Sequence, residues 1–327
     1  MTDFWKDSPQ LEARLRRVAA AIDSTIDIPG FPLREAAAAA AEPNGKLLRP
    51  ALLIIGSSFG RAADPARIES LAAAVELLHV ATLVHDDIID DADTRRGGPS
   101  LHASIGVKKA VLAGDWLFSR CFLLSSGSAE PESARALARL IAAVCSAEIV
   151  QDMGKYRYSD SVRGYLRTIA GKTAALFSLA LHAGASEAKA GPRIAQTLRR
   201  AGYDMGMAFQ VIDDILDFES AERVARKPVG KDIAEGLCTL PLIYALKADR
   251  KAMESILRRV GQGDASAAAQ VAAAAVARAI ELGGTQRARD DARRFTSRAI
   301  LEIGRLPRST ARDELGLLAE RLLRREY

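Results

Sequence analysis

The apolar and polar positions of this 327-residue chain recur mainly with the period of an α-helix. Apolar residues return three and four positions apart along most of the sequence, whereas β-branched runs with strict alternation are scarce. This pattern predicts an all-α protein. Helices are predicted near residues 8–26, 32–42, 48–60, 64–92, 104–126, 130–156, 159–184, 190–220, 238–260, 264–281, 284–304 and 308–325.

The sequence carries no long linker rich in Pro, Gly or Ser and no internal repeat. We therefore predict a single domain over residues 1–327, a bundle of about twelve helices. Pro50 and Pro241 are predicted in the first turns of their helices, where a missing N–H costs no helical hydrogen bond. Gly97, Gly98 and Pro99 are predicted to end the helix that precedes them.

The segment HDDIIDDADTRRG at positions 85–97 places five carboxylates within eight residues, directly after the apolar run LLHVATLV. A charged run is usually a solvated helix face. Here it continues a helix whose apolar side should be buried, and Asp86 and Asp90 project from one face with Asp87 beside them. Carboxylates this close repel one another, so a cation is expected among them. Their oxygens suit Mg²⁺ shared with a substrate phosphate.

A second segment, FQVIDDILDF at positions 209–218, repeats this spacing inside another apolar helical run, with Asp213, Asp214 and Asp217. A single DDxxD is a weak signal because acidic triplets are common on helix surfaces. Two copies inside apolar helices are a much stronger signal. If the two helices face each other, six carboxylates can hold several Mg²⁺ ions around an anionic ligand, which predicts diphosphate chemistry.

Composition and charge exclude several classes of protein. The net charge is +5, but the basic residues are spread along the chain and interleave no aromatics, so no nucleic acid partner is predicted. The three cysteines form no CxxC pair and are predicted to be reduced core thiols. The N-terminus has no apolar signal region, and charges interrupt apolar stretches before about 20 residues. A cytoplasmic protein without stable membrane insertion is expected.

The ordered motifs of the chain resemble those of the trans-isoprenyl diphosphate synthases, the polyprenyl synthetase family. The resemblance extends from GKLLRP at 45–50 through both acidic segments, LAGDWLF at 112–118 and GKTAALF at 171–177, to KPVGKDIAEGLCTLPLI at 227–243. It implies an all-α isoprenoid synthase fold around a central cavity, usually in a homodimer. It also implies condensation of isopentenyl diphosphate, head-to-tail, with an allylic diphosphate.

The resemblance assigns roles to individual residues. The metal ligands, which would hold about three Mg²⁺ ions with Mn²⁺ as a substitute, are Asp86, Asp87, Asp90, Asp213, Asp214 and Asp217. The cations that grip the allylic diphosphate are Arg95, Lys172 and Lys227. The residues that line the reacting carbons are Thr173 and Gln210, and Phe209 is a further substrate-binding residue. The pocket for isopentenyl diphosphate comprises Gly45, Lys46, Arg49, His79 and Arg96.

One position departs from the family pattern, because the chain reads EGLCTLP where EGKxTLP is usual. Leu237 thus replaces a lysine. Either the allylic diphosphate is held more weakly, or Lys231 substitutes for the missing cation. Some long-chain members of the family also carry an apolar residue at this place.

Small residues before the first acidic motif bear on product length. Ala81 and Thr82 lie four or five positions before Asp86, roughly 6–8 Å deeper along the helix. Their size predicts an open tunnel and a polyprenyl product longer than C20, for example octaprenyl. The alternatives are a short-chain farnesyl or geranylgeranyl diphosphate synthase, a class I terpene cyclase, and a noncatalytic subunit of a heteromeric synthase.

Overall fold

The computed structural model describes residues 3–26, 46–62, 64–95, 98–128, 131–159, 161–223, 230–260 and 265–323. Over these ranges the chain is almost entirely helical, which confirms the predicted all-α class. The predicted helix at 32–42 and three predicted site residues, Gly45, Arg96 and Lys227, lie outside the described residues.

The described helices are numbered here in chain order, after a short 3₁₀ turn at Asp3–Trp5. They are α1 (Pro9–Thr25), α2 (Leu48–Ser57), α3 (Pro65–Ile89), α4 (Leu101–Ile105), α5 (Val107–Ser128), α6 (Pro131–Met153), α7 (Val162–Ile169), α8 (Ala175–Glu187), α9 (Pro192–Arg223), α10 (Lys231–Ala234), α11 (Leu240–Ala248), α12 (Arg250–Leu257), α13 (Ala265–Glu281), α14 (Gly284–Gly304) and α15 (Thr310–Leu323). A π-helical turn, Ala170–Ala174, joins α7 to α8. Two short strands, β1 (Thr94–Arg95) and β2 (Gly98–Pro99), follow α3.

Most predicted helices are confirmed, but three predicted segments are divided. The 104–126 segment is interrupted at Gly106, whose φ of 87° lies in the left-handed region that glycine tolerates. The 238–260 segment breaks at Asp249, whose carboxylate accepts a hydrogen bond from the Ala252 N–H at 3.0 Å and so caps α12. The 159–184 segment contains the π-helical turn. The hairpin and α10 were not predicted.

The acidic helix α3 ends at Ile89, before the predicted end at residue 92. Asp91 has a left-handed φ of 48°, which stops the helical hydrogen-bond pattern. The chain then enters an antiparallel hairpin in which Arg95 pairs with Gly98. The predicted stop at Gly97, Gly98 and Pro99 was therefore placed too late.

The chain divides into two compact units. The first unit comprises Met1–Ala138, Leu179–Arg199 and Arg308–Leu315, and the second comprises Arg139–Ser178, Arg200–Pro307 and Gly316–Tyr327. Within the first unit, α3 packs along α5 and against α1 and α2. Within the second, α11 packs against α12, α13 and α14. The prediction of one domain over the whole chain stays a prediction.

The core of the first unit is built around α3, which has the length and hydropathy of a membrane span. Glu76 interrupts the apolar run of this helix, and the predicted absence of stable membrane insertion stays a prediction. Of its apolar window, 67% is buried inside the protein. Length and composition alone are weak support for a span, because a core helix that is apolar nearly all round has the same properties.

The cysteines are all free thiols but do not share one environment. Cys121 is buried, Cys238 is half-buried and Cys145 is exposed. Burial raises the pKa of the Cys121 thiol to about 12. The prediction of core thiols was therefore wrong for Cys145.

Candidate active site

The first aspartate motif lies at the C-terminal end of α3 in the first unit. Its three carboxylates differ in burial: Asp86 is half-buried, Asp87 is only 5% exposed, and Asp90 is exposed. The Asp90 N–H donates to the Asp86 carbonyl at 2.8 Å, so these residues are still one helical turn apart. Asp86 and Asp90 thus keep the shared face that their spacing predicts, and Asp87 is turned into the unit.

The hairpin after α3 returns Arg95 to the first motif. Its guanidinium donates a short, charge-assisted hydrogen bond to a carboxylate oxygen of Asp87. The two side chains are 22% and 7% exposed, so the ion pair is largely removed from water. A buried carboxylate needs such a partner. Asp87 therefore fixes the direction of Arg95, a predicted diphosphate ligand.

Gly114 in the LAGDWLF segment allows α5 to approach the end of α3. A Cβ atom at this position would lie 2.2 Å from Nε2 of His85. The His85 ring packs on Phe118 with centroids 5.6 Å apart, and its Nε2 lies 3.3 Å from the Val111 carbonyl oxygen. His85 therefore packs α5 onto α3, next to the first motif.

The residues that precede the first motif occupy different faces of α3. Ala81 has 0% exposure, whereas Thr82 and His79 are half-buried. The Thr82 hydroxyl donates to the His79 carbonyl at 2.8 Å. Thr82 therefore keeps accessible surface, and Ala81 packs in the core of the first unit. Their role in product length stays a prediction.

The GKLLRP segment leads into α2 in the first unit. Leu47, which precedes the helix, has a left-handed φ of 46°, and Lys46 and Arg49 on either side are half-buried. The Lys46 ammonium lies 5.1 Å from the centre of the Phe4 ring. The backbone carbonyl of Lys46 accepts a hydrogen bond from the Trp5 indole N–H at 2.7 Å. Strained backbone of this kind is common at functional sites. The 3₁₀ turn at the N-terminus thus fixes the backbone that connects Lys46 to Arg49, two predicted diphosphate ligands.

The second aspartate motif lies on α9 in the second unit. Asp213 is exposed, Asp214 is 5% exposed and Asp217 is half-buried. Asp217 accepts hydrogen bonds from the backbone N–H groups of Lys231 at 3.2 Å and Asp232 at 3.3 Å. Burial raises the pKa of Asp217, and these N–H groups oppose that increase.

Asp214 belongs to a buried hydrogen-bond network. The Tyr165 hydroxyl donates to Asp214 Oδ2 at 2.5 Å, and the Gln210 amide donates to Oδ1 at 2.8 Å. The Thr173 hydroxyl in turn donates to Gln210 Oε1 at 2.7 Å. Burial raises the pKa of Asp214 to about 7 against the lowering effect of these donors. Three predicted site residues, Thr173, Gln210 and Asp214, are therefore in direct contact.

A glycine brings α9 close to the π-helical turn that carries Thr173. A Cβ atom at Gly206 would lie 2.6 Å from the Ala174 Cα, so the two backbones touch. Gln210 follows one turn later on α9 and reaches Thr173 from there. Neighbouring Phe209 packs on Phe177 with ring centroids 5.3 Å apart. Single π-turns inside helices frequently mark functional sites.

Lys172 occupies the same π-helical turn. Its ammonium lies 2.9 Å from the carboxylate of Glu148 on α6, and both side chains are partly buried. This ion pair fixes the direction of a predicted diphosphate ligand. Sequence reasoning missed Glu148 because it belongs to no motif and meets Lys172 only through the packing of α6.

The EGLCTLP segment packs against Tyr156. The Tyr156 N–H donates to the Gly236 carbonyl at 2.9 Å, and the ring leaves no space for a Cβ at Gly236, where φ is 79°. Leu237, in the place of the usual lysine, is half-buried. The Lys231 ammonium lies 3.3 Å from Glu235 in a mostly exposed pair. Lys231 therefore contacts the second motif through its backbone N–H.

Two further acids that the sequence reasoning missed, Asp232 and Glu235, lie near the second motif. Burial raises the pKa of Asp232 well above its ordinary value, and Asp217 and Asp214 raise it further.

Within the described ranges, no three Asp, Glu, His or Cys side chains are grouped closely enough to hold a metal ion by themselves. Magnesium usually takes one or two carboxylates and completes its shell with water and substrate phosphate. The accessible aspartates fit that requirement.

Comparison with known proteins identifies the family. The family model for Polyprenyl synthetase matches residues 32–277, well over half of the chain. The chain belongs to the polyprenyl synthetase family. The resemblance inferred from the motifs is therefore confirmed.

Individual relatives extend this result to the whole chain. Heptaprenyl diphosphate synthase component 2 of Geobacillus stearothermophilus is 36% identical over 296 residues, 90% of this chain and 91% of that protein. The crystal structure of geranylgeranyl pyrophosphate synthase from Lactobacillus brevis has a TM-score of 0.91 at 32% identity and covers 99% of both chains. A decaprenyl diphosphate synthase from Rhodobacter capsulatus has a TM-score of 0.88 at 30% identity over 98% of each chain. These neighbours confirm the predicted fold class.

Proposed function

We propose that this protein is a Mg²⁺-dependent prenyltransferase that condenses isopentenyl diphosphate head-to-tail with an allylic diphosphate. The observation that carries the proposal is the common construction of the two aspartate motifs. In each, the middle aspartate is buried and bonded by protein groups, whereas Asp86 and Asp213, which precede them, remain accessible. Each motif therefore offers accessible carboxylates on a fixed helix end or helix face, as a cation that anchors a diphosphate requires.

The donor set determines which metal suits the motifs. All the donors are carboxylate oxygens, which are hard ligands that favour Mg²⁺ and also accept Mn²⁺. Asp86 and Asp90 would be the accessible ligands of the first motif and Asp213 and Asp217 those of the second, and about three ions are expected in all. Asp87 and Asp214 stay predicted ligands. When bound, Mg²⁺ would stabilise the negative charge that develops on the departing diphosphate.

The basic residues would act on the same leaving group. Arg95 and Lys172, already directed by Asp87 and Glu148, would bind the diphosphate oxygens as the allylic C–O bond breaks. That bond cleavage leaves an allylic carbocation. Thr173 would line its position and exclude water.

The second substrate would be held by Lys46, Arg49 and His79. These side chains would bind the diphosphate of isopentenyl diphosphate and place its double bond beside the carbocation. The terminal carbon of that double bond forms the new C–C bond, which leaves a positive charge on the branched carbon of the isopentenyl unit. A proton is then lost from the CH₂ group between the branched carbon and the carbon that bears the diphosphate. The released diphosphate is the base, so no side chain is assigned to that step.

The proposed product is longer than C20, for example octaprenyl diphosphate. Thr82 keeps accessible surface beside the first motif, and no aromatic side chain replaces it or Ala81. The names of two relatives, a heptaprenyl and a decaprenyl synthase, support a long product. The geranylgeranyl neighbour keeps a shorter product as the alternative. Replacement of Thr82 by Phe is expected to shorten the products, as measured by mass spectrometry of the extracted prenyl diphosphates.

A homodimer is proposed because α5 exposes apolar side chains. Val111, Leu112, Phe122 and Leu123 are 38%, 60%, 46% and 56% exposed, and patches of this kind usually mark interfaces. A second copy of the chain is the proposed occupant. A heteromeric assembly is the alternative, since one relative is named as a component 2. Light scattering measures the molar mass of the wild-type chain and of Leu112→Glu/Leu123→Glu. A homodimer predicts a dimer mass for the wild-type chain and a monomer mass for the variant, whereas a heteromeric assembly predicts a monomer mass for both.

One assay tests the proposed activity. The purified chain is incubated with labelled isopentenyl diphosphate, geranyl or farnesyl diphosphate, and Mg²⁺. We expect chain-extended diphosphates, their loss on addition of EDTA, and recovery with excess Mg²⁺. Hydrocarbon released from the allylic diphosphate alone would indicate a terpene cyclase. Product formed only after a second protein is added would indicate a noncatalytic subunit.

A further inference from the structure

Tyr165 contacts the second motif although it belongs to none of the segments that carry the family resemblance. It lies on α7, with its side chain buried in a core cluster that includes Val211, Ile215 and Leu240. Its hydroxyl donates to Asp214 Oδ2 at 2.5 Å. The Ser161 hydroxyl caps α7 by accepting from the Gly164 N–H at 3.1 Å, which helps to fix the helix that carries the phenol.

The hydrogen bonds that connect Tyr165 to Thr173 all point toward Asp214. The Tyr165 hydroxyl donates to Asp214 Oδ2 and the Gln210 amide nitrogen donates to Oδ1, so both oxygens of this side chain act as acceptors. The amide oxygen of Gln210 is then directed to Thr173, and the Thr173 hydroxyl donates to it at 2.7 Å. With its proton engaged, the Thr173 oxygen can present only lone pairs to a further group.

We propose that Tyr165 is a positioning residue for prenyl transfer, which acts through Asp214 and Gln210 to fix the direction of the Thr173 hydroxyl. The inference rests on the proposed function. A lone pair directed at the allylic carbon stabilises developing positive charge, whereas a reversed hydroxyl would place a proton there. Because the network is buried, such preorganised dipoles are weakly screened by water.

Loss of the Tyr165 hydroxyl leaves Asp214 Oδ2 without that donor in a buried position. The carboxylate is then free to turn, the Gln210 amide can invert, and the Thr173 hydroxyl loses its fixed acceptor. These changes are rotations of side-chain groups and require no displacement of the helices that carry them. Binding of the diphosphate should therefore change little while the chemical step slows.

The test compares Tyr165→Phe with Tyr244→Phe. Tyr244 on α11 also donates its hydroxyl to an aspartate, Asp291 on α14, in the same unit but outside both motifs. Tyr165→Phe is expected to lower kcat about 10- to 100-fold. The KM for the allylic diphosphate should change less than about twofold, and Tyr244→Phe should change neither constant appreciably.

Two further measurements separate positioning from loss of structure. Thermal unfolding should place both Phe variants at similar stability, and calorimetry with an unreactive allylic thiolodiphosphate should give both the wild-type affinity within about threefold. Combined with Thr173→Val, Tyr165→Phe should add little further loss in kcat, because both changes remove the same directed oxygen. A merely structural role would give independent, additive losses.

The outcomes distinguish this inference from the proposed function. If the wild-type chain transfers prenyl groups and Tyr165→Phe behaves like Tyr244→Phe, or its effect adds to that of Thr173→Val, the positioning role is overturned and the function stands. If the wild-type chain transfers none, the proposed function fails and the inference with it. If Tyr165→Phe does not fold, Gln210→Leu interrupts the same network and must show the same non-additivity with Thr173→Val.

Discussion

Asp87 and Asp214 occupy the same position in the two aspartate motifs and are equally buried, but the protein satisfies them by different means. Asp87 forms an ion pair with Arg95. Asp214 accepts from the neutral donors Tyr165 and Gln210, and burial raises its pKa to about 7. Identical spacing therefore places a carboxylate at the same point of a helix without deciding its electrostatic environment.

The neighbours of the two motifs extend this difference. The first motif has a cation within it, supplied by the hairpin after α3. The second is joined by more acids, Asp232 and Glu235. Burial raises the pKa of both Asp217 and Asp232, and the nearby Glu235 carboxylate raises both further. The second motif thus groups more acids than the first, and we expect it to depend more strongly on added cations.

The largest effect is expected from removing the accessible aspartates. Asp86→Ala and Asp213→Ala should each lower kcat by a factor on the order of 10²–10³, because each removes a proposed metal ligand at the leaving group. Steady-state kinetics at saturating Mg²⁺ measures the loss. The exposed Asp290 on α14 provides the matched control, and its alanine variant should retain wild-type turnover. Near-normal kcat in either motif variant would contradict an equal role for the two motifs.

The next largest effect is on the free energy of unfolding, which should respond differently to replacement of the two buried aspartates. Asp87→Asn should lower the free energy of unfolding by about 2–3 kcal/mol, because it leaves the partly buried Arg95 without its counter-charge. Asp214→Asn should cost less than about 1 kcal/mol, since the relief from burying a carboxylate offsets the weakened hydrogen bonds. Urea denaturation of the metal-free variants measures both values. The reverse order of the two values would contradict the proposed difference in electrostatics.

The glycine contacts beside the motifs should also differ. Gly206→Ala should cost about 1–3 kcal/mol and lower turnover, because the added methyl meets the Ala174 backbone and forces α9 from the π-helical turn. Gly114→Ala meets only the end of the His85 side chain, which can rotate away, so its cost should be smaller. Thermal and urea unfolding measure both.

Gly316 on α15 is the control for these substitutions. A Cβ there has open space, so Gly316→Ala should stabilise the helix by about 0.5–1 kcal/mol. If Gly206→Ala were as well tolerated as Gly316→Ala, the close backbone contact between α9 and the π-helical turn would be wrong.

The smallest effect is expected at the position that departs from the family pattern. Leu237→Lys adds a cation near the acidic second motif and should lower the KM for the allylic diphosphate about two- to fivefold, the range of a partly exposed charge interaction. Leu317→Lys, an exposed site on α15, adds the same charge elsewhere and should leave this KM unchanged. A higher KM for Leu237→Lys would show that Leu237 has a packing role there.

Local pattern was sufficient for much of the fold and for the location of the motifs. Helical periodicity placed α1, α9 and α14 within a few residues of their observed bounds, because each has a continuous apolar face. It failed where a single residue changes the backbone, as at Gly106 and Asp91, whose left-handed φ values interrupt a periodic pattern. It also gave no sign of Glu148, which has no motif around it.

The sequence by itself determined most of the helices, the family and the position of every aspartate in the two motifs, because periodicity and spacing are properties of neighbouring residues. The hairpin after α3, which was not predicted, decided that Asp87 meets a cation, and tertiary structure alone decided that Asp214 meets a phenol. Tyr165 and Asp214 are 49 positions apart, and Thr173 and Gln210 are 37 apart. Such partners meet only when distant helices pack, and burial and hydrogen bonding at that contact then set the charge of the site.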